Sequence, residues 1–246
     1  MPQTTFAGSD AEMEPATAAA RATFRYFWRE LAWERRRIVP AMDLCVIKLP
    51  FRDPGAADGP VEYMWVDDVD FDGRILRGTL VNSPQQLRKV QQGDPVERHL
   101  TELTDWMFAI DGRVFGAFTV SVMRSRMKPA ERASHDGAWG LDFGEPGQPR
   151  IPEPVPEHPL AANLIDSLEQ HLKNDPSAAR ELDGRGWTLL HHLALAGSQR
   201  SVELLLRNGA NPNVRTPQGM TASELASSLG WGHVVAALPA GQASLF

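Results

Sequence analysis

The chain has 246 residues, room for two modest domains that each bury a core. Its residues are 42% hydrophobic and 23% charged, which excludes a disordered or fibrous chain. The net charge of −6 is spread evenly, with 18 Lys+Arg against 22 Asp+Glu in residues 1–145 and 6 against 7 in residues 158–246. Neither half is basic, so no nucleic-acid partner is expected.

The opening run MPQTTFAGSDAEME has neither a basic nor an apolar segment of the kind a secretory signal needs. No stretch approaches the roughly 18 uninterrupted apolar residues of a membrane span. Cys45 is the one cysteine, so no internal disulfide can form, and in the apolar run CVIKL it reads as buried packing. These features predict a cytoplasmic protein with no membrane partner.

Pro15 opens a helical stretch, ATAAARATFRYFWRELAWERRR, in which Phe24, Phe27 and Leu31, with Trp28 beside them, form an apolar stripe. The cations Arg35, Arg36 and Arg37 suit a helix C-terminus, where they complement the macrodipole. Strand-like runs follow: MDLCVIKLPF, VEYMWVDDVDF, RILRGTLVN, LTDWMFAI and RVFGAF. Asp72-Gly73 and Asp111-Gly112 lie between neighbouring runs as hairpin turns. Thr119 leads into a helix, VSVMRSRMK, with Pro129 beyond it. A helix, hairpin-linked strands and a closing helix predict an α+β domain on an antiparallel sheet.

Lys48, Phe51, Glu62 and Trp65 begin a longer pattern, continued by the run from Gly78 to Pro84 and by Gly93-Asp94. Asp105-Trp106-Met107, Gly112 and Gly116-Ala117-Phe118-Thr119 complete it. In order and spacing these residues resemble the YegJ-like bacterial domain of unknown function, over about residues 16–128. The resemblance implies no activity, because that family has none established. The loop after Phe51 and the tail 129–145 depart from its pattern.

Three polar residues of this domain, Glu62, Asn82 and Asp105, stand in strand or turn settings and could share one cleft, with Lys48 near them. Asp105 beside Trp106 has the makings of a base against an apolar wall. Against that reading, an Asp at a strand start commonly binds backbone amides, and Asn82-Ser83-Pro84 reads as a turn. No nucleophile elbow, phosphate loop or paired-histidine motif accompanies them, so no catalytic residue is assigned. Asp68-Val69-Asp70-Phe71-Asp72-Gly73 has the spacing of a calcium-loop start, but its twelfth position is Thr79 instead of a bidentate Glu. It reads as an acidic hairpin, and no metal or cofactor is expected.

Residues 144–159, GEPGQPRIPEPVPEHP, hold six prolines and form neither a helix nor an inner strand. They read as a semi-rigid spacer or as an ordered loop on one domain. Beyond them the chain echoes itself: Gly186 with Gly219, Thr188 with Thr221, Gly197 with Gly230 and Val202 with Val235 are each 33 residues apart. The first copy, DGRGWTLLHHLALAGSQRSVELLLRNGANPN, resembles the ankyrin pattern along its length. The second is weaker, with Glu224 in the place of His191, and LAANLIDSLEQHLKNDPSAARELD resembles a degenerate first unit. YegJ-like domains also occur joined to ankyrin repeats.

Thr188 reads as a helix N-cap supported by His191. Leu190, Leu193, Val202, Leu205 and Leu206 recur at helical spacing and predict the filling between stacked helices. Arg185, Trp187, Gln218 and Met220 are left as the protein-binding positions, a Trp and an Arg being common interface anchors. Trp187 has a second reading, as packing on the Pro-rich segment or the N-terminal domain.

The expected organisation is therefore an α+β domain over 1–145, a linker over 146–158 and an all-α ankyrin array over 159–246. The expected function is that of a non-enzymatic binder of another protein, by analogy an immunity protein that blocks a cognate toxin. The alternative is an enzyme or small-ligand sensor in the N-terminal domain, with the repeats as a targeting arm. Oligomeric state is not readable from the sequence.

Overall fold

The computed structural model describes residues 11–55 and 59–239. The start of the chain, where no signal was read, and the last residues of the third expected repeat lie outside them.

The described residues form two compact units, those up to 27 with those of 38–152, and those of 28–37 with those of 153–239. They do not follow the chain in order. Helix α1 (Met13–Glu34) contributes about its first four turns to the first unit, whereas Trp28 onward belongs to the second.

The first unit is built on a six-stranded sheet in the order β4-β3-β2-β1-β5-β6. The strands are β1 (Met42–Phe51), β2 (Glu62–Phe71), β3 (Ile75–Leu80), β4 (Pro95–His99), β5 (Asp105–Ile110) and β6 (Arg113–Gly116). All neighbours pair antiparallel. The hairpin at Asp111-Gly112 takes positive φ at both residues, 49° and 70°, the mirror-image turn that matches strand twist.

Period-two alternation puts two apolar faces on this sheet. On one, Phe24 and Phe27 of α1 pack on Phe71 and Trp106, with ring centroids 5.4 and 5.7 Å apart, and the Trp106 indole donates to Ala20 O. On the other, Val46, Trp65, Met107 and Ala109 meet Val120 and Met123 of α2 (Phe118–Arg126), together with Phe143. Helix α3 (Pro129–Trp139) is pinned beside α2 by the buried Arg124, whose guanidinium forks onto Asp136 at 2.8 and 2.6 Å.

Two elements differ from the sequence reading. β4 was not expected, because Pro-Val-Glu-Arg-His is polar and opens on a proline; it is an edge strand, where both are tolerated. Pro129 does end α2, but it also occupies the first turn of α3, where a missing N–H is harmless. Cys45 is half-buried instead of fully packed away.

The Pro-rich segment is hydrogen-bonded along its length. Arg150 O accepts from Gly116 N, and Gly147 N donates to Ser121 Oγ, both within the first unit. Glu153 O and Val155 O accept from the buried Arg29, at 2.9 and 2.8 Å, within the second.

The second unit holds α4 (Pro159–Asn174), α5 (Leu189–Leu195), α6 (Gln199–Arg207), α7 (Ala222–Ser228) and α8 (Gly232–Ala237). Helix α4 packs on α6 and α6 on α8, whereas α5 packs on α7, which is the layering of stacked helix pairs. Leu190, Leu193, Val202 and Leu205 are buried between them and Leu206 is half-buried. Gly197, at φ 77°, lets Trp231 of the next repeat close in, since an added Cβ would stand 2.7 Å from the indole.

Candidate functional site

In the first unit, the residues that carry the family pattern are bonded to one another. Lys48 on β1 is paired in register with Trp65 on β2 and with Asp105 on β5. Facing pairs share a side of the sheet, so the three converge under the start of α2. Lys48 Nζ lies 4.5 Å from the centre of the Trp65 ring and donates to Thr119 Oγ1 at 3.1 Å. Thr119 Oγ1 donates in turn to Asp105 Oδ2 at 2.5 Å, and Asp105 also accepts from the amides of Trp106, Phe118 and Thr119.

Ala117, at the N-cap of α2, has no side chain to cap it and a left-handed φ of 58°. Asp105 does that work from the neighbouring strand. Burial moves both charges toward neutrality: the Lys48 amine falls from 10.5 to about 8, and the Asp105 carboxyl rises against the pull of Lys48 and its donors. Each side chain of the group is buried. Chemically the group is a lock joining three strands to a helix.

The three residues expected in one cleft are not gathered there. Glu62 pairs with Phe51 three positions from the Lys48–Trp65 pair in an unbroken register, so it faces the opposite side of the sheet from Asp105. Its carboxylate is taken up by three consecutive amides, those of Gln85, Gln86 and Leu87. Asn82 accepts from Trp65 N at 2.6 Å and so fixes the strand beside Lys48. In the acidic hairpin, Asp72 accepts from the amides of Arg74 and Ile75 and pairs with Arg77 at 2.7 Å. Among the described residues no group of three or more His, Cys, Asp or Glu could hold a metal ion.

In the second unit, Thr188 and His191 form a reciprocal cap at the start of α5. His191 Nδ1 accepts from Thr188 N at 3.0 Å, so Nε2 carries the proton it donates to Val214 O at 2.9 Å in the following turn. Burial holds this imidazole below its usual pKa, in keeping with a neutral ring. Glu224 makes the same cap with Thr221 at the start of α7, which explains how the weaker copy keeps its helix without the histidine.

Of the four expected binding positions, Arg185 and Gln218 are exposed, at the same place in successive turns. Trp187 and Met220 are not: they are 2% and 3% exposed. Each closes its turn through its amide, Trp187 N donating to Asp183 Oδ1 and Met220 N to Thr216 Oγ1, and the side chain is buried. The 33-residue echo carries the clue, because both positions are apolar while both exposed ones are polar. Sequence reading gave no role to Arg29 or Asp183, whose hydrogen bonds are set by the fold and not by the repeat pattern.

The family described as "Uncharacterized protein conserved in bacteria (DUF2314)" matches residues 10–143, and the ankyrin repeat matches residues 185–217. Over 233 residues the chain is 43% identical to the "Putative ankyrin repeat protein NMB1133/NMB1171" of Neisseria meningitidis serogroup B, covering 92% of each. A 62-residue stretch, 23% of this chain and 7% of the other, is 42% identical to a calmodulin-binding transcription activator of Oryza sativa subsp. japonica. Ankyrin repeats point to a protein partner. Among the described residues no helix is long and apolar enough to cross a membrane.

Proposed function

The chain belongs to the DUF2314 family of uncharacterized bacterial proteins, and from that premise we propose that it is a non-enzymatic protein-binding protein, an immunity protein whose ankyrin array grips and blocks a cognate toxin in the cytoplasm. One observation carries the reading. The polar residues that could have served chemistry, Lys48, Glu62, Asn82 and Asp105, are buried and bonded within the fold, whereas the repeat turns hold Arg185 and Gln218 outward. A repeat array also binds with little ordering cost, since its surface is already formed.

The test is co-expression of the full chain with each polypeptide encoded beside its gene that is toxic when expressed alone. Restored growth, with a one-to-one complex by size-exclusion chromatography and light scattering, is the expected result. A toxin that kills equally with and without the chain, and never co-elutes with it, overturns the immunity reading.

A further inference from the structure

Helix α3 is the least embedded helix of the first unit. None of its residues is buried, and it makes no extended contact with another helix or strand. Nor is it built to stand alone. Its 11 residues fall short of the roughly 12–15 that an isolated helix needs in water, and Gly137 lies in its interior. Its order comes from what holds it down.

Two attachments do so, and both leave from one face, since His135, Asp136 and Trp139 stand one helical turn apart. The guanidinium of Arg124, buried on α2, forks onto Asp136 at 2.8 and 2.6 Å. It keeps a second tie, to Gly144 O at 3.0 Å. The rings of His135 and Trp139 lie 5.3 and 6.0 Å from that of Phe143, a member of the apolar core on the α2 side of the sheet.

The chain is fixed just outside α3 at both ends. Met127 N donates to Arg124 O at the close of α2. On the far side Asp142 N donates to Gly112 O and Asp142 O accepts from Val114 N, at the edge of the sheet. Between these points lie Lys128, extended at ψ 156°, and Gly140, left-handed at φ 66° with open space around it. A helix hung between two fixed points, with a pivot at each end, can swing without disturbing the sheet.

The docked arrangement is also imperfectly satisfied. Arg124 Nη1 and Trp139 Nε1 are buried N–H groups with no hydrogen-bond partner among the described residues. A buried donor without an acceptor opposes burial, so exposing these two to water favours undocking.

We propose that α3 is a latch. It swings off the domain about Lys128 and Gly140, breaks the Arg124–Asp136 fork, and brings Arg124 and Phe143, now 3% and 6% exposed, to solvent while the sheet stays folded. Access to that arginine and that ring is thereby controlled by one carboxylate, Asp136.

Native-state hydrogen exchange of the full chain, in water and in low urea, tests the latch. Amides of residues 132–139 exchange at least about a hundredfold faster than those of β5, with almost no urea dependence, the signature of a small local opening. Ile47→Val, on β1 facing Trp106 and away from α2, speeds exchange in β5 about fivefold and leaves α3 within about twofold. Asp136→Asn speeds α3 about tenfold, the scale of a lost charge-assisted hydrogen bond. In the same variant phenylglyoxal, followed by peptide mapping, modifies Arg124 about tenfold faster than in wild type. If Asp136→Asn does not fold, Gly137→Ala replaces it: the added methyl meets nothing within 4 Å and slows α3 exchange about fivefold.

Exchange of α3 at the rate and urea slope of β5, or acceleration of both alike by Ile47→Val, overturns the latch, because α3 then opens only with the whole domain. Fast exchange of α3 with Arg124 no more reactive in Asp136→Asn than in wild type overturns it too, since the helix then frays without leaving the arginine.

Discussion

Asp105 caps a helix to which it does not belong: its Oδ2 accepts from Thr119 N at 2.8 Å and from Thr119 Oγ1 at 2.5 Å, across from strand β5 to the first turn of α2. The same carboxylate faces Lys48, so one side chain satisfies orphan helix amides and a buried cation together. Asp105→Asn therefore leaves Lys48 buried without its counter-charge. The expected loss is about 3–5 kcal/mol of unfolding free energy, read by urea denaturation. Thr119→Val removes only the hydroxyl and costs about 1–3 kcal/mol. Equal stability of Asp105→Asn and wild type would show that the pair contributes nothing.

The buried amine also sets a pH dependence. Lys48 is lowered from 10.5 to about 8, so between those values the unfolded chain binds more protons than the folded one. Stability then rises with pH across that window, because the penalty for a protonated, desolvated Lys48 is fully present below pH 8 and relieved above it. The integrated gain is on the order of 3 kcal/mol. Lys48→Met flattens this segment of the curve. Urea titrations from pH 7.5 to about 10 check it; an identical slope in both proteins refutes the assignment.

Two glycines separate space from strain. Gly116 has φ 77°, and a Cβ there would collide with the carbonyl oxygen and ring of Trp106. Gly112 has a similar φ of 70° with nothing near it. Gly116→Ala is expected to cost about 3 kcal/mol and Gly112→Ala about 1 kcal/mol, because only the first adds overpacking to left-handed strain. Thermal unfolding of the two variants side by side gives the comparison.

In the repeats, Trp187→Ala opens a cavity in the second unit and is expected to cost about 3–5 kcal/mol. Gln218→Ala, on an exposed turn, stays within about 0.5 kcal/mol. Hydrogen exchange of α5 and α7 distinguishes them: protection falls in the first variant alone. Unchanged protection in Trp187→Ala would mean that its burial contributes little.

Local signals were enough for several elements. The apolar run 42–51 reads directly as β1, and Asp111-Gly112 announces a turn that only residues tolerant of positive φ make comfortably. The Thr188–His191 cap spans three residues and is equally local. Strand β4 was illegible because its identity comes from pairing with β3, not from its own residues. Trp187 stood between two readings, binding anchor and packing, because a large aromatic at a repeat turn looks the same in sequence whether it points out or in.

The chain's own residues determine the family pattern, the antiparallel α+β domain and the 33-residue echo of helix pairs, since each is written as an order and spacing of residue types along the chain. Tertiary structure alone decided that Glu62 and Asp105 face opposite sides of one sheet and that Trp187 is buried while Arg185 is exposed. Those relations arise from register and burial, which no local pattern encodes.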